Sequence, residues 1–101
     1  MTLHTVNKSP FSSDRLAQCL NVANSNHVII LLEDGIYGAL PHSPLTQSLD
    51  AFCKSGGKVY AVIADIEARG LNDQIKPSVS QIDYAGFVDL CAQHNPIQSW
   101  Y

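Results

Sequence analysis

Charged residues are scarce in this chain, and basic residues are the scarcer kind. Only 15% of its 101 residues are charged, and nine acids against six basic residues give a formal net charge of −3 at pH 7. The basic residues form no run and are Lys8, Arg15, Lys54, Lys58, Arg69 and Lys76. A protein that binds nucleic acid by itself usually carries a clustered basic patch. The charge pattern therefore argues against direct nucleic-acid binding.

Long apolar runs are missing as well. No run approaches the ~20 residues that a helix needs to cross a bilayer. The first ten residues are polar and lack the charged-then-apolar layout of a secretory signal. We therefore expect a protein of the cytoplasm that makes no membrane contact.

Cysteines are few, and the motifs of several catalytic classes do not occur. The three cysteines, Cys19, Cys53 and Cys91, are widely spaced and form no Cys-x-x-Cys pair, which fits reduced thiols better than a disulfide framework. No Gly-x-Gly-x-x-Gly or Gly-x-Ser-x-Gly motif is present, and the four histidines have no metal-binding spacing. We expect no cofactor, and a metal site only if the fold assembles one.

The most informative segment that is present is a short, wholly apolar run. Residues 28–32 are five consecutive apolar residues, followed at once by Glu33, Asp34 and Gly35. A strand without polar alternation is buried on both faces, as in the centre of a parallel sheet. Asp34-Gly35 predicts a tight turn at its carboxyl end. In open α/β sheets, that edge gathers ligands and functional loops.

The rest of the chain alternates between strand and helix patterns. Strands are predicted at residues 3–6, 27–32, 58–63 and 79–82, with 97–101 as a final edge strand or a docking segment. Helices are predicted at 12–23, 43–54, 65–69 and 83–93, with a helical turn at 36–40. This order predicts one α/β domain over residues 1–101, a three-layer α/β/α arrangement around a mostly parallel sheet of about five strands.

Two acids follow predicted strands and invite a catalytic interpretation. Asp34 and Asp65 are placed as in the acidic pocket of phosphoacceptor domains. Such a pocket needs further acids after the first strand, where this chain has Asn7, Lys8 and Ser9. We therefore interpret Asp34 and Asp65 as turn and helix-cap carboxylates.

Four segments resemble the TusB/DsrH family. They are residues 3–11 (LHTVNKSPF), 33–37 (EDGIY), 64–71 (ADIEARGL) and 83–88 (DYAGFV). They occur in order and at family-like spacing, and the match runs over essentially the whole chain. The resemblance implies the fold of DsrE, DsrF and DsrH proteins.

The resemblance also implies a role. TusB/DsrH proteins are the small third member of a heterohexamer with TusC/DsrF-like and TusD/DsrE-like subunits, which passes persulfide sulfur towards a TusE/DsrC-like acceptor. In the Tus branch the sulfur ends in 2-thiouridine at the tRNA wobble position, and in the Dsr branch it serves dissimilatory sulfur oxidation. The principal relay cysteine belongs to the TusD/DsrE-like subunit. We therefore expect an accessory, non-catalytic subunit of a sulfurtransferase complex.

Cys19 allows two interpretations. As a thiolate it would accept persulfide sulfur, and its position resembles a cysteine of DsrH members that many TusB members lack. That role requires exposure and a lowered pKa. However, Cys19 lies beyond the first turn of its helix, has no basic neighbour in sequence, and falls on an apolar stripe typical of buried cysteine. The residues favour burial, so a sulfur carrier acting through Cys19 is the alternative function. Cys53 and Cys91 are expected in the core.

Aromatic and aliphatic residues in two segments are candidates for a subunit interface. Trp100 and Tyr101 either cover the core of their own domain or enter a subunit contact, since both residue types are enriched at interfaces. The segment after the central strand, with Ile36, Tyr37 and Leu40, has the same alternatives, and its place at the functional edge favours an interface. A free-standing small-molecule binder is a third possibility. The branch stays open, although Cys19 and residues 3–11 lean towards DsrH.

Overall fold

The computed structural model describes residues 2–101 and has a five-stranded, fully parallel sheet. Its strands are β1 (Leu3–Val6), β2 (Val28–Leu31), β3 (Lys58–Val62), β4 (Val79–Ile82) and β5 (Ile97–Trp100). Its helices are α1 (Arg15–Val22), α2 (Thr46–Lys54), α3 (Ile63–Ala68) and α4 (Tyr84–Gln93), with a 3₁₀ helix at Glu33–Ala39. The strand order is β4-β3-β2-β1-β5, which confirms the predicted α/β fold.

The apolar run forms the middle strand, as predicted. All four residues of β2 are buried, and they alternate between two hydrophobic clusters because successive side chains of a strand point to opposite faces. Ile29 and Leu31 enter one cluster, whereas Val28 and Ile30 enter the other.

The two faces of the sheet are covered unequally. On the face that we call the broad core, α1, α2 and α3 contribute side chains that are fully or almost fully buried. These are Leu16, Cys19, Leu49, Phe52 and Ile66. On the opposite face, which we call the α4 face, the buried residues come only from strands, and α4 contributes none. The interior therefore lies mainly on one side of the sheet.

The orientation of α4 corrects one expectation. The spacing of Tyr84, Phe87, Val88 and Cys91 predicts a single inward face. Phe87 and Cys91 do pack against the sheet, but Tyr84 is 70% exposed and Val88 is 49% exposed. Among residues 2–101, α4 is the one helix that packs on the α4 face of the sheet. No second helix lies beside it there to cover Tyr84. Asp83, the type of residue that favours a helix start, caps α4: its Oδ1 accepts a hydrogen bond from Gly86 N–H at 2.8 Å.

The segment after β2 is a longer structure than the predicted tight turn. Glu33 to Ala39 form seven residues of 3₁₀ helix, and Gly35 lies in its first turn without a positive φ. A Cβ at Gly35 would lie 2.1 Å from the carbonyl oxygen of Val6. Glycine is therefore required here by close approach to β1 rather than by backbone conformation. Across residues 2–101, the helices are too short or too polar to span a bilayer.

Candidate functional site

The carboxyl edge of the sheet carries a compact ion-pair network. Arg69, at the end of α3, donates from Nη2 to Asp34 Oδ1 at 2.9 Å and from Nη1 to the backbone oxygen of Asp65 at 3.1 Å. The carboxylate of Asp65 accepts a hydrogen bond from the N–H of Glu33 at 2.9 Å. The network thus ties α3 to the start of the 3₁₀ helix.

Glu33 is held in an uncommon backbone conformation at this edge. Its φ of +50° lies in the left-handed region, which costs a non-glycine residue about 1–3 kcal/mol. The Asp65 carboxylate accepts the N–H of Glu33 in that conformation. Backbone conformations of this kind concentrate at active sites, ligand clamps and switch regions, so this edge is a candidate functional site.

Asp34 and Asp65 are both bonded to neighbouring parts of the chain, so they do not form the acidic pocket of a phosphoacceptor domain. Asp34 binds Arg69, and Asp65 accepts the first N–H of the 3₁₀ helix, so the carboxylates act as turn and cap groups of neighbouring elements. Among residues 2–101, no group of three or more His, Cys, Asp or Glu side chains is close enough to hold a metal ion. The arrangement supports a positioning role for this edge.

Cys19 lies away from that edge, inside the broad core. Its side chain is 0% exposed, and burial raises the pKa of the thiol to about 12. At neutral pH the group is therefore an uncharged thiol without access to solvent. Both requirements of a persulfide acceptor, exposure and a thiolate, go unmet in this conformation.

The other two cysteines are less buried than expected. Cys53 and Cys91 are both half-buried, at the margins of the two clusters, because α2 and α4 end near the surface of the molecule. Burial raises the pKa of both thiols; for Cys53 the Asp50 carboxylate raises the pKa further, and the Lys76 ammonium partly opposes this. Every thiol of the chain is therefore shifted away from the reactive thiolate.

The interface candidates separate into buried and accessible residues. Ile36 is 0% exposed and Leu40 is 3% exposed, so both belong to the interior and cannot meet a partner in this conformation. Ile36 points inward because the 3₁₀ helix lies against the broad core, and Leu40, which directly follows that helix, is buried as well. The sequence pattern did not reveal either placement. Tyr37 is half-buried, and Tyr101 is 68% exposed.

Trp100 covers its own domain, one of its two predicted roles, and belongs to a partly buried chain of hydrogen bonds that the sequence did not predict. Its indole Nε1 donates to His4 Nδ1 at 3.1 Å, and His4 Nε2 lies 2.9 Å from His27 Nδ1. The side chain also packs against the broad core. The two histidines are 23 residues apart in sequence, so only strand pairing places them together.

A second unpredicted group joins α2 to the segment before β4. The Lys76 side chain is almost fully buried and donates from Nζ to Asp50 Oδ1 at 2.8 Å and to the backbone oxygen of Thr46 at 3.0 Å. The hydrogen bonds from Lys76 and Ser78 lower the pKa of Asp50. All three ammonium donors are thereby directed at α2, including one at Thr46 Oγ1, which makes Lys76 a structural clamp.

Exposed apolar side chains concentrate on α4 and the last strand. Six large hydrophobic residues of the described chain are exposed, and four of them belong to residues 84–101. These four, which we call the α4/β5 residues, are Tyr84, Val88, Ile97 and Tyr101. Tyr84 and Val88 lie on α4, Ile97 opens β5, and Tyr101 directly follows β5. We treat these side chains as candidates for partner contact, since large exposed apolar residues build such surfaces.

The fold and these sites define a class: a small parallel α/β protein with accessible apolar residues and no activated cysteine. Comparison with solved structures agrees on the fold. The ychN protein from Escherichia coli superimposes with a TM-score of 0.87 over 97% of both chains at 15% identity. Protein MTH1491 from Methanobacterium thermoautotrophicum gives 0.82 over 97% of this chain and 96% of its own at 12% identity.

Comparison of sequences identifies the family. A family model described as "DsrH like protein" matches residues 8–97. Protein TusB from Escherichia coli O139:H28 (strain E24377A / ETEC) and from Shigella boydii serotype 18 is 35% identical over 98 residues, which cover 97% of this chain and 99% of each relative. The chain belongs to the DsrH-like family, as its four motifs predicted.

Proposed function

We propose that the chain is an accessory subunit of a sulfur-relay complex that delivers persulfide sulfur for 2-thiolation of the tRNA wobble uridine. Its partners in this proposal are a TusC/DsrF-like and a TusD/DsrE-like subunit in a heterohexamer, with a TusE/DsrC-like protein receiving the sulfur downstream. The complex works in the cytoplasm, and this chain contacts neither tRNA nor membrane.

The state of the cysteines carries the accessory role. Sulfur transfer proceeds by thiolate attack on a sulfane sulfur, so a carrier needs an accessible thiol with a pKa near or below neutral. Cys19 is fully buried with a pKa of about 12, and the pKa values of Cys53 and Cys91 are raised as well. A chain with no activated thiol contributes to a relay through contact and positioning.

Similarity to TusB supports the tRNA branch over sulfur oxidation. The relatives at 35% identity carry the name TusB and align over nearly their full length. The family description alone is compatible with both branches. The position of Cys19 favoured the DsrH branch in the sequence. Because Cys19 is buried in the broad core, however, it packs as any small apolar residue could, and it no longer distinguishes the branches.

Accessible residues at two places suit partner contact. The α4/β5 residues supply apolar and aromatic area, and Tyr37 lies half-exposed near the ion-pair network at the carboxyl edge. Trp and Tyr contribute much of the binding energy of typical interfaces. We assign partner contact to these surfaces rather than to Ile36 and Leu40.

Mass measurement on the assembled complex tests the accessory role. The chain is co-expressed with its two partner subunits, the complex is treated with a small-molecule persulfide donor, and each subunit is weighed intact. We expect a gain of about 32 Da, one sulfur atom, on the TusD/DsrE-like subunit and none on this chain. A gain on this chain that disappears in Cys19→Ala, but not in the matched Cys91→Ala, would establish the sulfur carrier instead.

The branch has its own readout. Cells that lack this chain are expected to lose 2-thiouridine from tRNA, and a plasmid copy is expected to restore it. An unchanged 2-thiouridine content would contradict the tRNA branch without touching the accessory role.

A further inference from the structure

The polar chain Trp100–His4–His27 has a fixed direction of proton donation. An indole N–H can only donate, so His4 Nδ1 must accept the bond from Trp100. A neutral His4 then carries its proton on Nε2 and donates it to His27 Nδ1. His27 Nδ1 also accepts the backbone N–H of Asn24 at 3.2 Å. One donor at the end of the chain thus sets the tautomers of both histidines.

This arrangement has no place for another proton. A proton added to His4 Nδ1 faces the indole N–H of Trp100, donor against donor. A proton added to His27 Nδ1 faces His4 Nε2–H, and moving the His4 proton to Nδ1 to relieve that conflict again opposes Trp100. Protonating either ring within the chain therefore breaks a hydrogen bond in a mostly buried site.

The bond at risk holds an edge strand. β5 has one neighbour in the sheet, β1. Through Trp100, β5 also makes a side-chain hydrogen bond to His4 and packs against the broad core. The three other residues of β5 are exposed. Losing the bond to His4 therefore weakens the attachment of β5, which keeps its backbone pairing with β1 and the hydrogen bond from Thr5 Oγ1 to Ser99 Oγ at 3.2 Å.

We propose that Trp100, His4 and His27 form an acid-sensitive latch that holds β5 on the sheet when both imidazoles are neutral and releases it when the pair takes up a proton. Release frees Ile97 and Tyr101, two of the α4/β5 residues, and uncovers the edge of β1. The inference concerns the chain itself and does not depend on the proposed function.

Surrounding charges do not offset the effect. β2 and β5 contain no charged residue, and the titratable groups of α1, which packs on both β1 and β5, are Arg15 and Cys19. On the His27 side, the exposed Lys58 donates its backbone N–H to the His27 carbonyl at 3.3 Å, and a positive charge there would not favour a further proton. Arg15 is exposed and bonded to Gln18, and the Cys19 thiol is uncharged at neutral pH. Burial, followed by the nearby His27, lowers the pKa of His4.

The sign follows from linkage. With β5 released, His4 regains an ordinary pKa of about 6.5, so the open state binds more protons than the closed state between that value and the lower pKa of the closed state. The latch is thus strongest above pH 6.5 and weakens as the pH falls through this window. The opening constant of β5 is expected to rise by up to about tenfold per pH unit there.

Nuclear magnetic resonance of the isolated chain between pH 7.5 and 5.0 tests the latch. Trp100 is the single tryptophan, so its indole N–H resonance reports the bond to His4 directly. We expect this resonance to shift as the pH falls, together with amide exchange that accelerates in β5 relative to β2 after correction for intrinsic rates. An unchanged indole resonance while the His4 ring titrates would overturn the proposal.

Three variants make the test specific. His4→Asn offers Trp100 a non-titrating oxygen near the Nδ1 position, so its β5 exchange should show no pH-dependent step. His27→Asn removes the neighbouring ring that helps to lower the pKa of His4, so the step should remain but become smaller and move to higher pH. His42→Asn, at an exposed histidine outside the chain of bonds, should match the wild type. A step of wild-type size and midpoint in His4→Asn would overturn the latch, and a His27→Asn variant with no step would do so even if His4→Asn failed to fold.

Discussion

The two faces of the sheet are built from similar strand residues but are covered by different numbers of helices. The broad core receives three helices whose inward side chains are buried, whereas the α4 face receives one mostly apolar helix that buries no side chain fully. Both faces are built from Val, Ile and Leu of the same strands. The difference shows that apolar composition does not by itself mark the interior: what covers a helix decides whether its apolar residues stabilise the fold or remain available.

The contrast extends to the cysteines. Cys19 and Cys91 both occupy helices beside the sheet, but only Cys19 has lost all contact with solvent. Its burial supports the view that the broad core is structural. The α4 face keeps Tyr84 and Val88 accessible, as the proposed contact with partner subunits requires. Four experiments test this difference between the two faces.

The largest difference is expected in thiol alkylation. With a pKa of about 12, Cys19 at pH 8 holds roughly a thousandfold less thiolate than an ordinary cysteine of pKa ~8.5, and its full burial adds a steric barrier. Iodoacetamide labelling followed by peptide mass analysis should modify Cys91 in the native chain and Cys19 only on unfolding. Comparable native labelling of the two thiols would mean that the broad core opens readily.

Truncating a side chain in the broad core should lower the free energy of unfolding much more than truncating one on α4. Leu49→Ala in the broad core is expected to lower the free energy of unfolding by about 2–5 kcal/mol, because it removes buried contacts and leaves a cavity. Val88→Ala on α4 should change it by less than about 0.5 kcal/mol, as expected for an exposed position. Urea denaturation measures both, and equal losses would remove the distinction between the faces.

Adding a methyl group at glycine gives a matched pair with a smaller effect. Gly35→Ala places a Cβ 2.1 Å from a backbone oxygen, which forces the 3₁₀ helix away from β1 and should cost about 1–3 kcal/mol. At Gly86, on α4, the nearest atom would be Asp83 Oδ1 at 3.3 Å, and alanine favours the helix. Gly86→Ala should therefore stay within about 1 kcal/mol of the wild type in the same denaturation experiment. A Gly35→Ala chain as stable as wild type would show that this close approach is not required.

The smallest effect on the isolated chain is expected from Tyr84→Ser. Its side chain is 70% exposed, so the free energy of unfolding should change by no more than about 0.5 kcal/mol. Co-purification with the TusC/DsrF-like and TusD/DsrE-like subunits should nevertheless weaken if the α4/β5 residues form the interface. Lys58→Ser, an exposed position on β3, serves as the control for a surface change. Unaltered recovery of the Tyr84→Ser complex would remove Tyr84 from the interface.

Local pattern predicted most of the fold. β1 and β4 occupy the predicted residues, β2 and β3 lie within one residue of their predicted ends, and α4 begins after Asp83 as its cap indicates. These elements were predictable because apolar period, glycine stops and capping residues act over a few neighbours in sequence. The 3₁₀ helix was recognised only as a turn followed by a helical turn, since its length depends on packing against the end of β1.

The candidate sites were harder to predict. The pairing of Arg69 with Asp34 crosses 35 residues, and that of Lys76 with Thr46 crosses 30. Ile36 and Leu40 were expected at an interface, but no feature of their segment revealed that the 3₁₀ helix turns them inward. Contacts between distant residues depend on which strands become neighbours in the sheet. The residues of the two contacting segments do not by themselves reveal that strand order.

Residue types at short spacings were enough to identify the family, the order of strands and helices, and the lack of a recognisable catalytic motif. Three other features could be read only from the packed chain: the full burial of Cys19, the uncovered side of α4, and the chain of hydrogen bonds shared by two histidines and a tryptophan. Burial and long-range hydrogen bonding arise when parallel strands bring remote segments side by side. Exposure and pKa therefore follow from the packing rather than from the order of the residues.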